Sequence, residues 1–331
     1  MRAYMYVRPA LAMCGRRALS NTSSASCSAV PSTLVHAALS VLNTPDPAAK
    51  AQLSQMHARQ WLSGQITAIR PDDSETKLQP PDEPARGECP PIVSSGDMPR
   101  VKDLAKAQHM LFYMHSIAHV ELSAINLSWD TVARYACLAP QLPREFFADF
   151  IRVADDESRH FLMLSSRLRE LGSFYGAFPA HALIVQTLQN SCGHDWQALL
   201  RRLVLGQLSQ EARGLDAGPR LANRLQGAGD NVSANIVAQI AHEEIEHVRI
   251  GLDWFLFCCA QLQIQDPMLE FQETAISLSN PGAFSPPFNH ERRMLAGLQP
   301  EWYEPVAEAL QQRLAALPPL RNHQLKQPQK P

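Results

Sequence analysis

Two of the twelve histidines in this 331-residue chain have a glutamate three residues before them, and that spacing recurs at Glu157/His160 and at Glu244/His247. Both pairs lie in the middle of long segments whose apolar residues repeat with the 3.6-residue period of a helix. On a helix, residues three apart share one face. The apolar row Phe146, Phe150, Val153, Phe161, Leu164, Leu168 passes through the first pair, and Val237, Ile240, Gly251 and Trp254 flank the second. Both pairs are therefore expected to point into a core. An ionised carboxylate among apolar side chains costs several kcal/mol unless something compensates it, and a metal ion is the strongest compensation available. Two further segments carry the same anomaly. Glu121 interrupts the face Ala107, Met110, Met114, Ile117, Ala118, Leu122, Ile125, and Glu211 interrupts Leu200, Val204, Leu208, Leu215.

The four segments span 102–137, 143–171, 195–213 and 230–263, the last two opened by Asp195 and Asp230 as N-caps. Strand signals are nearly absent, which predicts an all-α chain. Short first-to-second and third-to-fourth links with a long second-to-third connection predict a four-helix bundle with one long crossover. It offers one inward Glu from each of two helices and Glu-x-x-His from each of the other two, the donor set of ferritin-like di-iron and di-manganese carboxylate bundles. Glu121, Glu157 and His160 would hold one ion and Glu211, Glu244 and His247 the other, with Glu157 and Glu244 as bridges. Four carboxylates and two imidazoles suit two Fe ions, with Mn as the alternative, and the lack of thiolate ligands argues against structural zinc. The competing reading is a non-catalytic helical bundle with buried ion pairs.

Around the bundle, assigned to 101–265, the chain changes character. Residues 1–32 carry Arg2, Arg8, Arg16 and Arg17, and the first acidic residue is Asp46. This fits a mitochondrial transit peptide, or a disordered leader on a cytoplasmic protein. Residues 33–68 read as a short helical hairpin, 33–42 and 47–62, the second helix having Asp46 as N-cap and Pro47 at its first position. Between 69 and 100 fall seven prolines, at 71, 80, 81, 84, 90, 91 and 99, so this stretch must be an extended linker or wrap. Residues 266–331 read as a C-terminal extension with short helices near 267–276 and 304–316 and a disordered tail. A net charge of −2 gives no reason to expect stable nucleic-acid binding. Nor does any apolar run approach the roughly 18 residues of a membrane span. Seven cysteines without a CxxC exclude an evident disulfide framework or zinc ribbon.

The run Asp156-Glu157-Ser158-Arg159-His160 resembles the D-E-x-R-H motif of the ferritin-like superfamily, as in bacterial multicomponent monooxygenases and ribonucleotide reductase small subunits. The resemblance implies that Glu157 and His160 bind iron while Asp156 and Arg159 orient the ligands. The second run, Glu243-Glu244-Ile245-Glu246-His247, departs from it, with Glu243 in the place of the Asp and Glu246 where the Arg would stand. Further phrases spread over about 33–305 are similar to the ferritin-like family known as domain of unknown function 455. These are His119-Val120-Glu121, Tyr175 through His181, Glu211 through Asp216, Glu244 through Val248, and Pro287-Phe288-Asn289. That likeness implies a ferritin-like fold and a dinuclear metal site, and no substrate. His181 and Asp216 lie in these phrases on connections beside the bundle, as candidate catalytic residues or as cap and turn partners. His119, two positions from Glu121, falls on another helical face and reads as structural. The expected activity is that of an O2-dependent di-iron hydroxylase or oxidase of a small or apolar substrate, served by an electron-donor protein and possible as a homodimer. The alternatives are iron oxidation or peroxide detoxification without an organic substrate, and a tRNA-modifying hydroxylase.

Overall fold

The long amphipathic segments fold as helices, and side-chain caps fix the starts of the last two. In the computed structural model, which describes residues 30–71, 78–94, 96–279 and 281–316, the Asp195 carboxylate accepts from the Ala198 backbone N–H at 2.8 Å and that of Asp230 from Ser233 at 3.0 Å. Helix α1 (Leu34–Leu42) is capped by Thr33, and α2 (Pro47–Leu62) by Asp46. The chain is all-α. Helices α3 (Lys106–Arg134) and α4 (Arg144–Glu170) pack against each other along their lengths, and α8 (Asn231–Gln261) packs on α4. The leader assigned to 1–32 lies almost wholly, and the tail beyond 316 wholly, outside the described residues.

The third long segment corrects the expectation that a helix ends near Arg213. It consists of α6 (Trp196–Leu205), a π-helical stretch (Gly206–Glu211) and α7 (Ala212–Gly227), which continues through Pro219. Packing explains the continuation, because α7 lies along α8 over most of its length. Glycines that look like helix breakers serve close approach there: a Cβ on Gly218 would sit 2.6 Å from that of Ala241. Other bounds shift by a few residues. The first long helix starts at Lys106, after a short 3₁₀ turn at Val101–Asp103, and the last, α11, covers Pro300–Ala315. A short α10 (His290–Leu295) precedes it, and α9 (Pro267–Leu278) packs on both α6 and α11.

The extensions share the core of the bundle. Buried side chains from α1, α2, α3, α4, α6, α7, α8, α9 and α11 form one apolar cluster. Ser54 of α2 ties two long helices together, accepting from Trp129 Nε1 at 2.7 Å and from the Ser158 hydroxyl at 2.8 Å. The proline-rich wrap is held by Lys50, whose buried ammonium donates to the Ala85 carbonyl and to Asn126 Oδ1. It also makes an unexpected two-residue parallel strand pair, β1 (Ile92–Val93) on β2 (Ala180–His181). This pins the wrap to the connection 171–195. Helix α5 (Leu183–Asn190) of that connection lies against α3. Among the described residues, no helix is long and apolar enough to cross a membrane.

Candidate metal centre

Each of the four long segments delivers its anomalous carboxylate to one interior. Glu121 comes from the middle of α3, Glu157 and His160 from α4, Glu244 and His247 from α8, and Glu211 from the last position of the π turn. All six are at least nine-tenths buried. The extra residue of a π turn changes which side of a helix faces the neighbour, and such turns concentrate at functional sites. Two glycines make this one fit. A Cβ on Gly251 of α8 would lie 2.2 Å from Gln207 Cβ, and one on Gly206 would lie 3.0 Å from Leu127 of α3.

Two overlapping quartets result. Glu121, Glu157, His160 and Glu244 offer ligand atoms all within 4.8 Å of one another, and so do Glu157, Glu211, Glu244 and His247. Glu157 and Glu244 belong to both. The Nδ1 atoms of the two imidazoles face this shared space: that of His160 lies 3.0 Å from Glu121 Oε2, and that of His247 lies 2.9 Å from Glu157 Oε1 and 3.3 Å from Glu244 Oε2. Yet His247 Nδ1, Glu157 Oε1 and Glu244 Oε2 have no partner in hydrogen-bonding alignment. Three buried polar atoms crowded together without hydrogen bonds demand an explanation, and a divalent cation held among them supplies one. The residues present fit such an ion in number, type and spacing.

The outer nitrogens are strapped across the helix pair. His160 of α4 places Nε2 2.5 Å from Glu243 Oε2 of α8, and His247 of α8 places Nε2 3.5 Å from Asp156 Oδ2 of α4. Arg159 lies between the two carboxylates, with Nη2 2.5 Å from Asp156 Oδ1 and 2.8 Å from Glu243 Oε2. One arginine therefore serves both imidazoles. Glu246, at the position where a second Arg would stand, is exposed and pairs with Arg249 on the surface.

Without a cation the cluster holds protons. Burial, reinforced by Glu157, pushes the Glu121 carboxyl well above the usual range, and burial with Glu244 does the same to Glu211. For His160 burial opposes charge, but Glu121, Glu157 and Glu243 outweigh it and raise its pKa to about 12. His247 is raised in the same way, its burial overcome by Glu244, Asp156 and Glu157. Glu157 is buried too, but the two imidazoles hold it far below the carboxylate range. Glu243 is drawn down to about 2, chiefly by its hydrogen bond with His160. A cation would replace the protons on the imidazoles and on Glu121 and Glu211.

The remaining predicted residues fall elsewhere. Asp216 is engaged with buried Arg293, accepting at 3.0 and 2.7 Å, and with the backbone N–H of Asn289. It anchors α10 to α7 and stands outside both quartets. His119 is held by the Tyr175 hydroxyl at 2.8 Å and the His181 carbonyl at 2.9 Å. His181 is also outside the quartets, but its side chain has an unpartnered buried Nδ1 and borders two cavities. One, of about 400 Å³, reaches Glu211; the other, of about 350 Å³, contains Lys50, Asn126 and Tyr175. Sequence reasoning missed the π turn, the shared role of Arg159 and both cavities. Only Gly206 and Gly251 carried a signal for the first.

The fold and cluster together define an all-α protein with a buried carboxylate–histidine site able to hold a metal ion. A family model described as a protein of unknown function (DUF455) matches residues 43–304, and the chain belongs to that family. It is also similar to an uncharacterized protein of Haemophilus influenzae, 34% identical over 197 residues that cover 59% of this chain and 67% of the relative. No solved structure matches.

Proposed function

We propose that the chain is a ferritin-like, dinuclear-metal oxidoreductase that uses dioxygen to hydroxylate or oxidise a small, partly apolar organic molecule. The observation that carries this reading is the pair of overlapping quartets sharing Glu157 and Glu244. Two iron ions bound there would supply the reducing electrons and the place where dioxygen is activated. Glu157 and Glu244 would lie between the ions, Glu121 and His160 on one side, Glu211 and His247 on the other. Asp156, Arg159 and Glu243 fix the tautomer and orientation of the two imidazoles. Buried Ile125, Phe161, Leu208 and Leu215, neighbours along the helices that carry the ligands, keep water away from the centre. A cavity ending on Glu211 favours an organic substrate over iron handling alone.

Metal analysis of protein from iron-supplemented cells tests the assignment. Two ions per chain are expected, falling below half of that in Glu157→Ala and Glu244→Ala. Fewer than one ion per chain after careful loading, unchanged in both variants, would sink it.

A further inference from the structure

The cavity that meets the cluster has a graded lining. Leu127, Thr187, Leu205, Ser209 and Glu211 are buried and form its floor, whereas Val120, Gln186, Arg213 and Gly282 are exposed and form its rim. Its volume, about 400 Å³, lies in the range of small-molecule sites. Two charged residues line it, at opposite depths: Glu211 on the floor and Arg213 on the rim.

Arg213 has no carboxylate within ion-pair distance among the described residues; its Nη1 donates to the Gly282 carbonyl. Asp216, three residues further along the same helix, is taken by Arg293. The rim therefore presents a guanidinium whose remaining N–H groups are open to a ligand, while the floor carries the carboxylate. An anion is therefore attracted at the mouth, and the floor has no arginine or lysine to draw it deeper. The lining between them, where Ala124 and Leu278 join the floor residues Leu127 and Leu205, is largely aliphatic.

We propose that this cavity binds an organic carboxylate with a short apolar tail, the carboxylate on Arg213 and the tail directed toward Glu211. The orientation rests on the reading of the cluster as a metal centre only in what it places beside the tail; the charge selection at the rim does not depend on it. An amine of the same length finds no acid at the rim, and an alcohol forgoes the charge-assisted bonds that are the stronger kind.

Calorimetric titration of the full-length, iron-loaded protein under anaerobic conditions with octanoate, octanol, octylamine and acetate tests this. Octanoate should bind at least tenfold more tightly than octanol or octylamine, and more tightly than acetate. Arg213→Gln should lower octanoate to the level of octanol with metal content unchanged, Arg213→Lys should restore part of the loss, and Arg220→Gln, two turns along the same helix, should leave it unaffected. Equal binding of octanoate and octanol, equal binding of octanoate and acetate, or an Arg213→Gln variant that keeps full octanoate affinity overturns the proposal. Metal content measured on the same samples separates the two readings. Selectivity lost with two ions present counts against the cavity proposal alone, and selectivity retained in a chain that takes up no metal counts against the metal centre alone.

Discussion

Arg159 is where a single side chain controls most of the centre. Its guanidinium contacts Asp156 and Glu243 at 2.5 and 2.8 Å, and each of those carboxylates faces the outer nitrogen of one imidazole. Replacing it by Gln leaves both carboxylates free to turn away, and loss of such a partner typically lowers metal affinity about 10–100-fold. Stability should hardly change, because Arg159 is 35% exposed and ion pairs at that exposure contribute about 0–1 kcal/mol. Arg159→Gln should therefore weaken iron binding in a chelator-competition titration while the melting temperature of the metal-free chain stays put; unchanged affinity would remove Arg159 from the centre. The six donors were legible in the sequence because each is a charge set in an apolar row, a mismatch that helical periodicity exposes. That Arg159 serves both imidazoles was not. Reading the two Glu-x-x-His runs as separate copies makes Glu246 look like a missing arginine, whereas across the α4–α8 contact one arginine supports both, and that contact has no local signature.

At the scale of the element, the π turn decides whether Glu211 joins the cluster. It is accommodated because Gly251 has no side chain: a methyl there would lie 2.2 Å from Gln207 Cβ, far inside any contact distance. Gly251→Ala must push the turn away from α8, and overpacking of this kind costs about 1–3 kcal/mol. The expected outcome is a lower melting temperature together with loss of one ion, since Glu211 serves only one of the two quartets. A variant that melts lower but still binds two ions would show that Glu211 is placed independently of the turn. The same physics explains where the sequence misled. Gly214, Gly218 and Pro219 look like the end of a helix, and in isolation a proline in a helix interior costs about 3 kcal/mol. Here the close packing of α7 on α8, which Gly218 permits against Ala241, offsets that cost, and a tertiary contact between segments some twenty residues apart cannot be read from local pattern.

For the molecule as a whole, the charge that matters is the proton inventory of its interior. Glu121 and Glu211 hold protons above the ordinary carboxylate range, and His160 and His247 hold them above the ordinary imidazole range. At these four groups the metal-free fold binds more protons than the unfolded chain, so raising the pH through neutrality removes the stability they contribute. Glu157, Asp156 and Glu243 are held below the usual carboxylate values, so their stabilisation is lost only as the pH falls into the acid range. Burial lowers His115 and His119 to about 4; they disfavour the fold below the usual imidazole value, with or without metal. Bound cations would take the place of the protons on the four raised groups, which would remove the penalty at high pH from the loaded form alone. The gain in melting temperature on iron loading, measured anaerobically against a chelator-treated sample, should therefore widen from pH 6 to pH 8. A gain that is flat or shrinks over that interval would mean that the buried carboxylates and imidazoles do not exchange their protons for metal, and the cluster would then be a network of buried ion pairs.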